Sequence, residues 1–149
     1  ISLLLLLVSV IGISSYFLFK DKINLLDVDH SAVDWNGKKQ KDTSGEENTI
    51  AIPGFEKVTL YANETKQAVN FHNPEINDCY FKISLIHPDG SVLWISDLIE
   101  PGKGMYSIEL EKTLAVGEYE NAVLKYECFS LNDQSPLNGS EINLKLVVV

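Results

Sequence analysis

From Thr49 to the end of the chain, apolar residues recur at every second position, and no stretch carries the 3.6-residue spacing of an amphipathic helix. Val58 and Leu60 alternate with polar neighbours, and Val69 and Phe71 do the same. Cys79, Phe81, Ile83 and Leu85 share one face of a strand, with Tyr80, Lys82 and Ser84 on the other. Such alternation sets one face of each segment against a core and the other against water, as in the strands of a layered sheet protein. His87-Pro88-Asp89-Gly90-Ser91 breaks the pattern with a Pro-Asp-Gly turn that closes a hairpin. Val92-Leu93-Trp94-Ile95 resumes as a strand apolar on both faces, which predicts a central position. A second turn at Pro101-Gly102-Lys103-Gly104 precedes Tyr106, Ile108 and Leu110. Ala122, Leu124, Tyr126 and Cys128 line the next strand, and Ile142, Leu144, Leu146 and Val148 the last, beyond a loop from Asn132 to Gly139. Seven to eight short strands at this spacing predict an all-β fold, a two-sheet antiparallel sandwich over residues 49–149.

The first nineteen residues, Ile1 to Phe19, carry no charge, and Lys20-Asp21-Lys22 follows at once. As a helix rising 1.5 Å per residue the run reaches about 28 Å, close to the hydrocarbon thickness of a bilayer. A cleaved signal peptide usually has an apolar core of only ~7–15 residues. Here the run is longer and ends in Tyr16-Phe17-Leu18-Phe19, an aromatic flank suited to a membrane interface. Residues 1–19 are therefore expected to form one retained transmembrane helix, a single-pass anchor in the cell membrane, with the C-terminal domain extracellular. Residues 20–48, rich in Lys, Asp, Asn, Ser and Gly, read as a flexible polar tether. Chain statistics give such a tether a root-mean-square span of roughly 30 Å and an extended limit near ~100 Å. Two patches interrupt it: Ile23 to Leu26, read as interfacial, and Trp35, read as docking on the domain rather than as a partner-binding motif.

All twelve cationic residues are lysines and the formal net charge is −9. Arginine supplies the bidentate contacts to phosphate and guanine, so nucleic acid is excluded as a partner, and anionic headgroups are repelled by most of this surface. No Gly-x-Ser-x-Gly elbow or phosphate-cradling glycine loop is present. The paired Glu46-Glu47 stands in the tether, where nothing desolvates it. His72, Glu75 and Asp78 recur every third residue but form no recognised ligand pair, while His30 and His87 are expected in solvent. Asp27, Asp29 and Asp34 lack the glycine and terminal glutamate of a calcium loop. The reading is of a non-enzyme with no metal and no cofactor.

The order Cys79, Trp94, Tyr126-Glu127-Cys128 resembles that of immunoglobulin domains, and Leu114-Ala115-Val116-Gly117-Glu118-Tyr119 resembles the Leu-x-x-Gly-x-Tyr corner of immunoglobulin and fibronectin type III modules. The resemblance implies an immunoglobulin-like sandwich with Trp94, Tyr119 and Tyr126 as structural residues, the tyrosine hydroxyl of the corner bonding back to the backbone. Both cysteines fall on apolar strand faces, so a Cys79–Cys128 disulfide across the core is expected, with two buried free thiols as the alternative. More loosely, Leu26-Asp27 with Trp35-Asn36-Gly37, Ile52-Pro53-Gly54-Phe55, Asn73-Pro74 before Cys79-Tyr80-Phe81, Ile99-Glu100-Pro101-Gly102-Lys103 and Pro136-Leu137-Asn138-Gly139 are similar to segments of small, uncharacterised, single-anchor surface proteins of Gram-positive bacteria. That likeness implies a cell-surface location and no particular activity.

The function these readings favour is a membrane-anchored extracellular module for non-enzymatic binding or envelope assembly. Its contacts would come from loops carrying Asn73, Asp78, Asp89, Asn132 and Asn138, or from a strand edge that takes up an envelope protein or a second copy. Two alternatives are a structural subunit of a surface filament or secretion machine and a loop-based protease inhibitor. The helix of a type IV pilin normally carries a glutamate near its start; Leu5 stands there in this chain.

Overall fold

The structure, a computed structural model, describes residues 25–37 and 50–149, and every regular element among them is a strand. The expected anchor, residues 1–19, lies outside the described residues, as do 20–24 and 38–49. Among the described residues no helix is long and apolar enough to cross a membrane.

Eight strands follow in order: β1 (Val33–Asp34), β2 (Lys57–Leu60), β3 (Lys66–His72), β4 (Cys79–Ile86), β5 (Val92–Ile95), β6 (Lys103–Glu109), β7 (Gly117–Ser130) and β8 (Pro136–Val148). They form two sheets, a three-stranded one in the order β1-β6-β3 and a five-stranded one in the order β2-β8-β7-β4-β5. Alternation dictates what each strand buries. Cys79, Phe81, Ile83 and Leu85 of β4 meet Leu124, Tyr126 and Cys128 of β7 on one face, and that face packs with Phe71, Met105 and Ile108 of the smaller sheet in a single core. Phe71 lies 5.8 Å from Trp94 of β5, ring centre to ring centre, so the two sheets touch through aromatic side chains.

Three expectations need correction. The sheets are not wholly antiparallel: β2 runs parallel to β8, from Lys57 opposite Lys145 to Leu60 opposite Val148. β5 is not central but an edge strand, and Val92 and Ile95 are exposed while only Leu93 and Trp94 turn inward. A four-residue apolar run cannot distinguish a strand buried on both faces from a short edge strand beside a register shift, which occurs between Leu85 and Ile86. Residues 25–37, expected to belong to a flexible tether, are laid along the domain and contribute β1 to the smaller sheet.

Strand directions gather the connections into two groups. At one end lie residues 73–78, 96–102 and 131–135, together with segment 25–37; at the other lie 61–65, 87–91 and 110–116. The hairpin at His87 to Ser91 has the turn its sequence demands, with Gly90 N–H donating to His87 O at 2.8 Å.

Candidate functional site

Segment 25–37 acts as a strap across the first of these ends. It begins at Gln134, whose side chain imitates a backbone partner: Leu26 N–H donates to Gln134 Oε1 at 2.7 Å, and Gln134 Nε2 donates to Leu26 O at 3.0 Å. It then pairs with residue 98 in the manner of a parallel bridge, Leu98 N–H donating to Asp27 O and Asp29 N–H to Leu98 O. Asp29 accepts bonds from Ser31 N–H and from Asp97 N–H at 3.1 Å, which fix the strap rather than leave its carboxylate open to a cation. Val33 and Asp34 pair with Gly104 and Lys103 of β6, and Trp35 N–H donates to Gly102 O at 2.9 Å.

Trp35 fastens the strap. Its indole stacks on the buried His72 ring with centroids 3.7 Å apart, and its Nε1–H donates to Asn70 Oδ1 at 2.6 Å. Glycine is required around it: a Cβ on Gly37 or Gly104 would come within 2.9 Å or 2.8 Å of the indole, and one on Gly104 would also meet Phe71 O at 2.9 Å. Beyond Trp35, Asn36 N–H donates to Tyr106 Oη and that hydroxyl donates to Asn36 Oδ1, both at 3.0 Å.

Between the strap and the β3–β4 connection lies a cleft of about 840 Å³. Trp35, Pro53, Pro74, Ile76 and Pro101 give it rigid apolar walls, and Asp34, Asn36 and Glu75 contribute polar groups. Ile76 is 74 % exposed, a branched apolar side chain held out at the rim. Lys103 Nζ donates to Asp34 Oδ1 at 2.7 Å, a bond that holds the Asp34 carboxyl below its ordinary value and the lysine above its own.

A buried amide pair stiffens the cleft from behind. Asn73 Nδ2 donates to Cys79 O and Ile99 O at 2.8 and 2.9 Å, and its Oδ1 accepts from Asn77 Nδ2 at 2.9 Å. Asn77 in turn accepts from Ala51 N–H and donates to Ala51 O, tying residues 50–53 to the same loop. Asn73, expected among the contact residues, is fully buried, so it is a strut rather than a contact. Every hydrogen-bonding site of its amide oxygen and nitrogen that reaches another residue is turned inward.

The other expected residues are scattered. Asp78 and Asn132 are exposed at the strap end, Asn138 is exposed within β8 rather than in a loop, and Asp89 is exposed at the opposite end. Asp89 accepts from Ser91 Oγ and Ser91 N–H, which together hold its carboxyl far below its ordinary value. His87 is not in free solvent: its ring lies 5.2 Å from that of Tyr119 and Nδ1 is 3.0 Å from Asp89. Tyr119 Oη donates to Ala115 O at 2.8 Å, four residues back across Gly117. Trp94 and Tyr126 are buried, and Tyr126 Oη has no hydrogen-bond partner among the described residues, so burial drives its phenol well above the ordinary range.

The expected disulfide is not formed, and Cys79 and Cys128 are both free and buried. They also do not face each other across the core. Both belong to the five-stranded sheet, on adjacent β4 and β7, where Cys79 is opposite Ser130 and Cys128 opposite Phe81. The thiols are diagonal neighbours, and the adjacent Cys79 thiol together with burial pushes the Cys128 thiol far up. Among the described residues no group of three His, Cys, Asp or Glu side chains converges as a metal site.

Sequence reasoning found Trp35 but not the cleft, because its walls come from stretches near residues 35, 53, 75 and 101 with no common motif. The available signal was the coincidence of Trp35-Asn36-Gly37 with three X-Pro turns, at Pro53, Pro74 and Pro101. Comparison with family models, with curated proteins and with solved structures finds no match to this chain.

Proposed function

We propose that this chain is a cell-surface binding module, non-enzymatic, anchored by residues 1–19 and presenting the strap-built cleft to an extracellular partner. The cleft carries the reading. Its volume lies within the roughly 300–1,000 Å³ usual for small-ligand sites, and its walls are prolines and a clamped indole, which lose little freedom on binding. An immunoglobulin-like sandwich is the finer architecture we propose for the two sheets. Its support is the order β2-β8-β7-β4-β5 against β6-β3, the parallel β2–β8 pair and the Tyr119–Ala115 bond at the turn into β7. Loops at one end of such a scaffold are a common place for recognition, because the sheets fix them while leaving their side chains free to vary.

The uncharged run of residues 1–19 supports retention in the cell membrane with the domain outside. A photo-crosslinking side chain placed at Ile76 of the full chain in intact cells tests both parts. A discrete adduct at Ile76, absent when the same group is placed at Val116, and a chain that stays in the membrane pellet at alkaline pH are expected. No adduct at Ile76 defeats the binding reading, and release of the intact chain into the supernatant defeats the anchor.

A further inference from the structure

The geometry points to a ligand class for the cleft: a short peptide segment carrying a lysine or arginine beside an apolar side chain. This rests on the cleft being the working site. Among the described residues, Asp34 and Glu75 are the charged side chains that line the cleft, and both are anionic. Lys103 occupies one oxygen of Asp34, whose side chain is still 92 % exposed, and Glu75 makes no ion pair among the described residues. Glu100, beside the Pro101 wall, raises the local negative charge felt by Lys103. An anionic ligand entering here meets the Glu75 carboxylate, which no described cation pairs, whereas a cation gains it together with the second oxygen of Asp34.

Charge alone would suit any ammonium ion. The apolar side narrows the choice. Ile76, 74 % exposed, lines the cleft with Trp35 and Pro53, and a small hydrated cation would leave those surfaces wet. A peptide with alternating cationic and apolar side chains fills both halves of the cleft at once, its apolar group against Ile76 and its ammonium or guanidinium at Glu75 and Asp34. The side chains of lysine and arginine suit this, since their methylene stems cover apolar surface while the charged head stays at the rim.

The test uses the full chain in lipid nanodiscs and three capped tetrapeptides: acetyl-Leu-Lys-Leu-Lys-amide, acetyl-Leu-Gln-Leu-Gln-amide and acetyl-Leu-Glu-Leu-Glu-amide. Backbone amide shifts of Asn36, Ile76 and Gly102 report occupancy. The lysine peptide should move these three amides and bind about tenfold more tightly than the glutamate peptide, with the glutamine peptide between them. Glu75→Gln should weaken the lysine peptide about threefold and narrow its advantage over the glutamine peptide, and 0.5 M salt should erase most of the difference. Glu75 is exposed, so this variant keeps the fold, and its amide spectrum verifies that. Equal binding of all three peptides at the cleft overturns the cationic preference and leaves the binding module standing. Failure of every peptide to move the cleft amides overturns both.

Discussion

The indole of Trp35 lies flat on the imidazole of His72, 3.7 Å between centroids and 7° from parallel. The two residues come from opposite sides of the segment 38–49, so this stack closes the chain on itself at the cleft. Trp35→Ala should lower the free energy of unfolding by about 2–3 kcal/mol in urea, through lost stacking and lost burial of a large ring. Trp35→Phe keeps an aromatic face but gives up the bond to Asn70, and should cost about 1 kcal/mol. Gly104→Ala should cost about 2 kcal/mol, since its methyl group would press on Trp35, His72 and the Phe71 carbonyl together. If Trp35→Ala leaves the urea midpoint unchanged, the stack is incidental.

Gln134 holds a left-handed backbone, φ 57°, while its side chain clamps Leu26. Gln134→Gly relieves the backbone and removes the clamp, so its effect should be local. Amide exchange of Leu26 and Asp29 should quicken about tenfold while the core strands β4 and β7 keep their protection. Uniform acceleration across the domain would contradict this.

Asn73 and Asn77 form a closed set of buried amide bonds. Asn73→Ala leaves the Cys79 carbonyl without the Asn73 amide, strands one donor of Asn77 and takes from Ile99 O the second of its two donors, Phe81 N–H remaining, and should cost about 2 kcal/mol in thermal or urea unfolding. Asn132→Ala, at an exposed turn, should change stability by less than about 0.5 kcal/mol. Similar losses from both would remove the distinction between strut and surface residue.

Cys79 and Cys128 are 1 % exposed and unbridged. In the native protein neither should react with iodoacetamide on the timescale of hours, and both should be alkylated in denaturant without prior reduction. Intact mass after denaturing alkylation gives the answer: two adducts are expected, and none would mean that the sulfurs are joined.

At the far hairpin, Ser91 lowers the Asp89 carboxyl pKa, chiefly through its hydroxyl and then through its amide. A folded pKa below the unfolded one means that the ionised group contributes stability above the unfolded value. That contribution is lost as pH falls through the folded value. Carbon NMR of the side chain should therefore show Asp89 titrating below the ordinary aspartate range, and Ser91→Ala should move its titration upward. An unshifted midpoint in the variant would assign the depression to another group.

Much of the fold was legible because burial imposes a period on the chain. The faces of β4, β7 and β8 follow from alternation alone, since each is long enough for period two to be unambiguous. Short elements were not legible. β5 has four apolar residues whichever way it faces, and β1 has two residues with no pattern at all. The cysteine, tryptophan and tyrosine order suggested a bridge between sheets, but strand neighbours depend on pairing, and the pairing put both thiols in one sheet. The polarity of residues 25–37 hid their docking, because the strap is held by backbone bonds and by Trp35 rather than by an apolar face. Likewise, Asn73 looked like a surface asparagine because sequence carries no sign of where an amide points.

Docking of the strap from Leu25 onward changes the leverage of whatever precedes it. Between Phe19 and Leu25 stand five residues, six steps of chain, which whatever their conformation reach no more than about 22 Å. On the proposed anchoring, the head is then mounted like a lamp on a short bracket, cleft end toward the lipid, and does not swing on a long leash. Gly37 and Ile50 both belong to the head, so lengthening the chain between them would leave its height above the bilayer unchanged, whereas inserting the same residues after Lys22 would raise it.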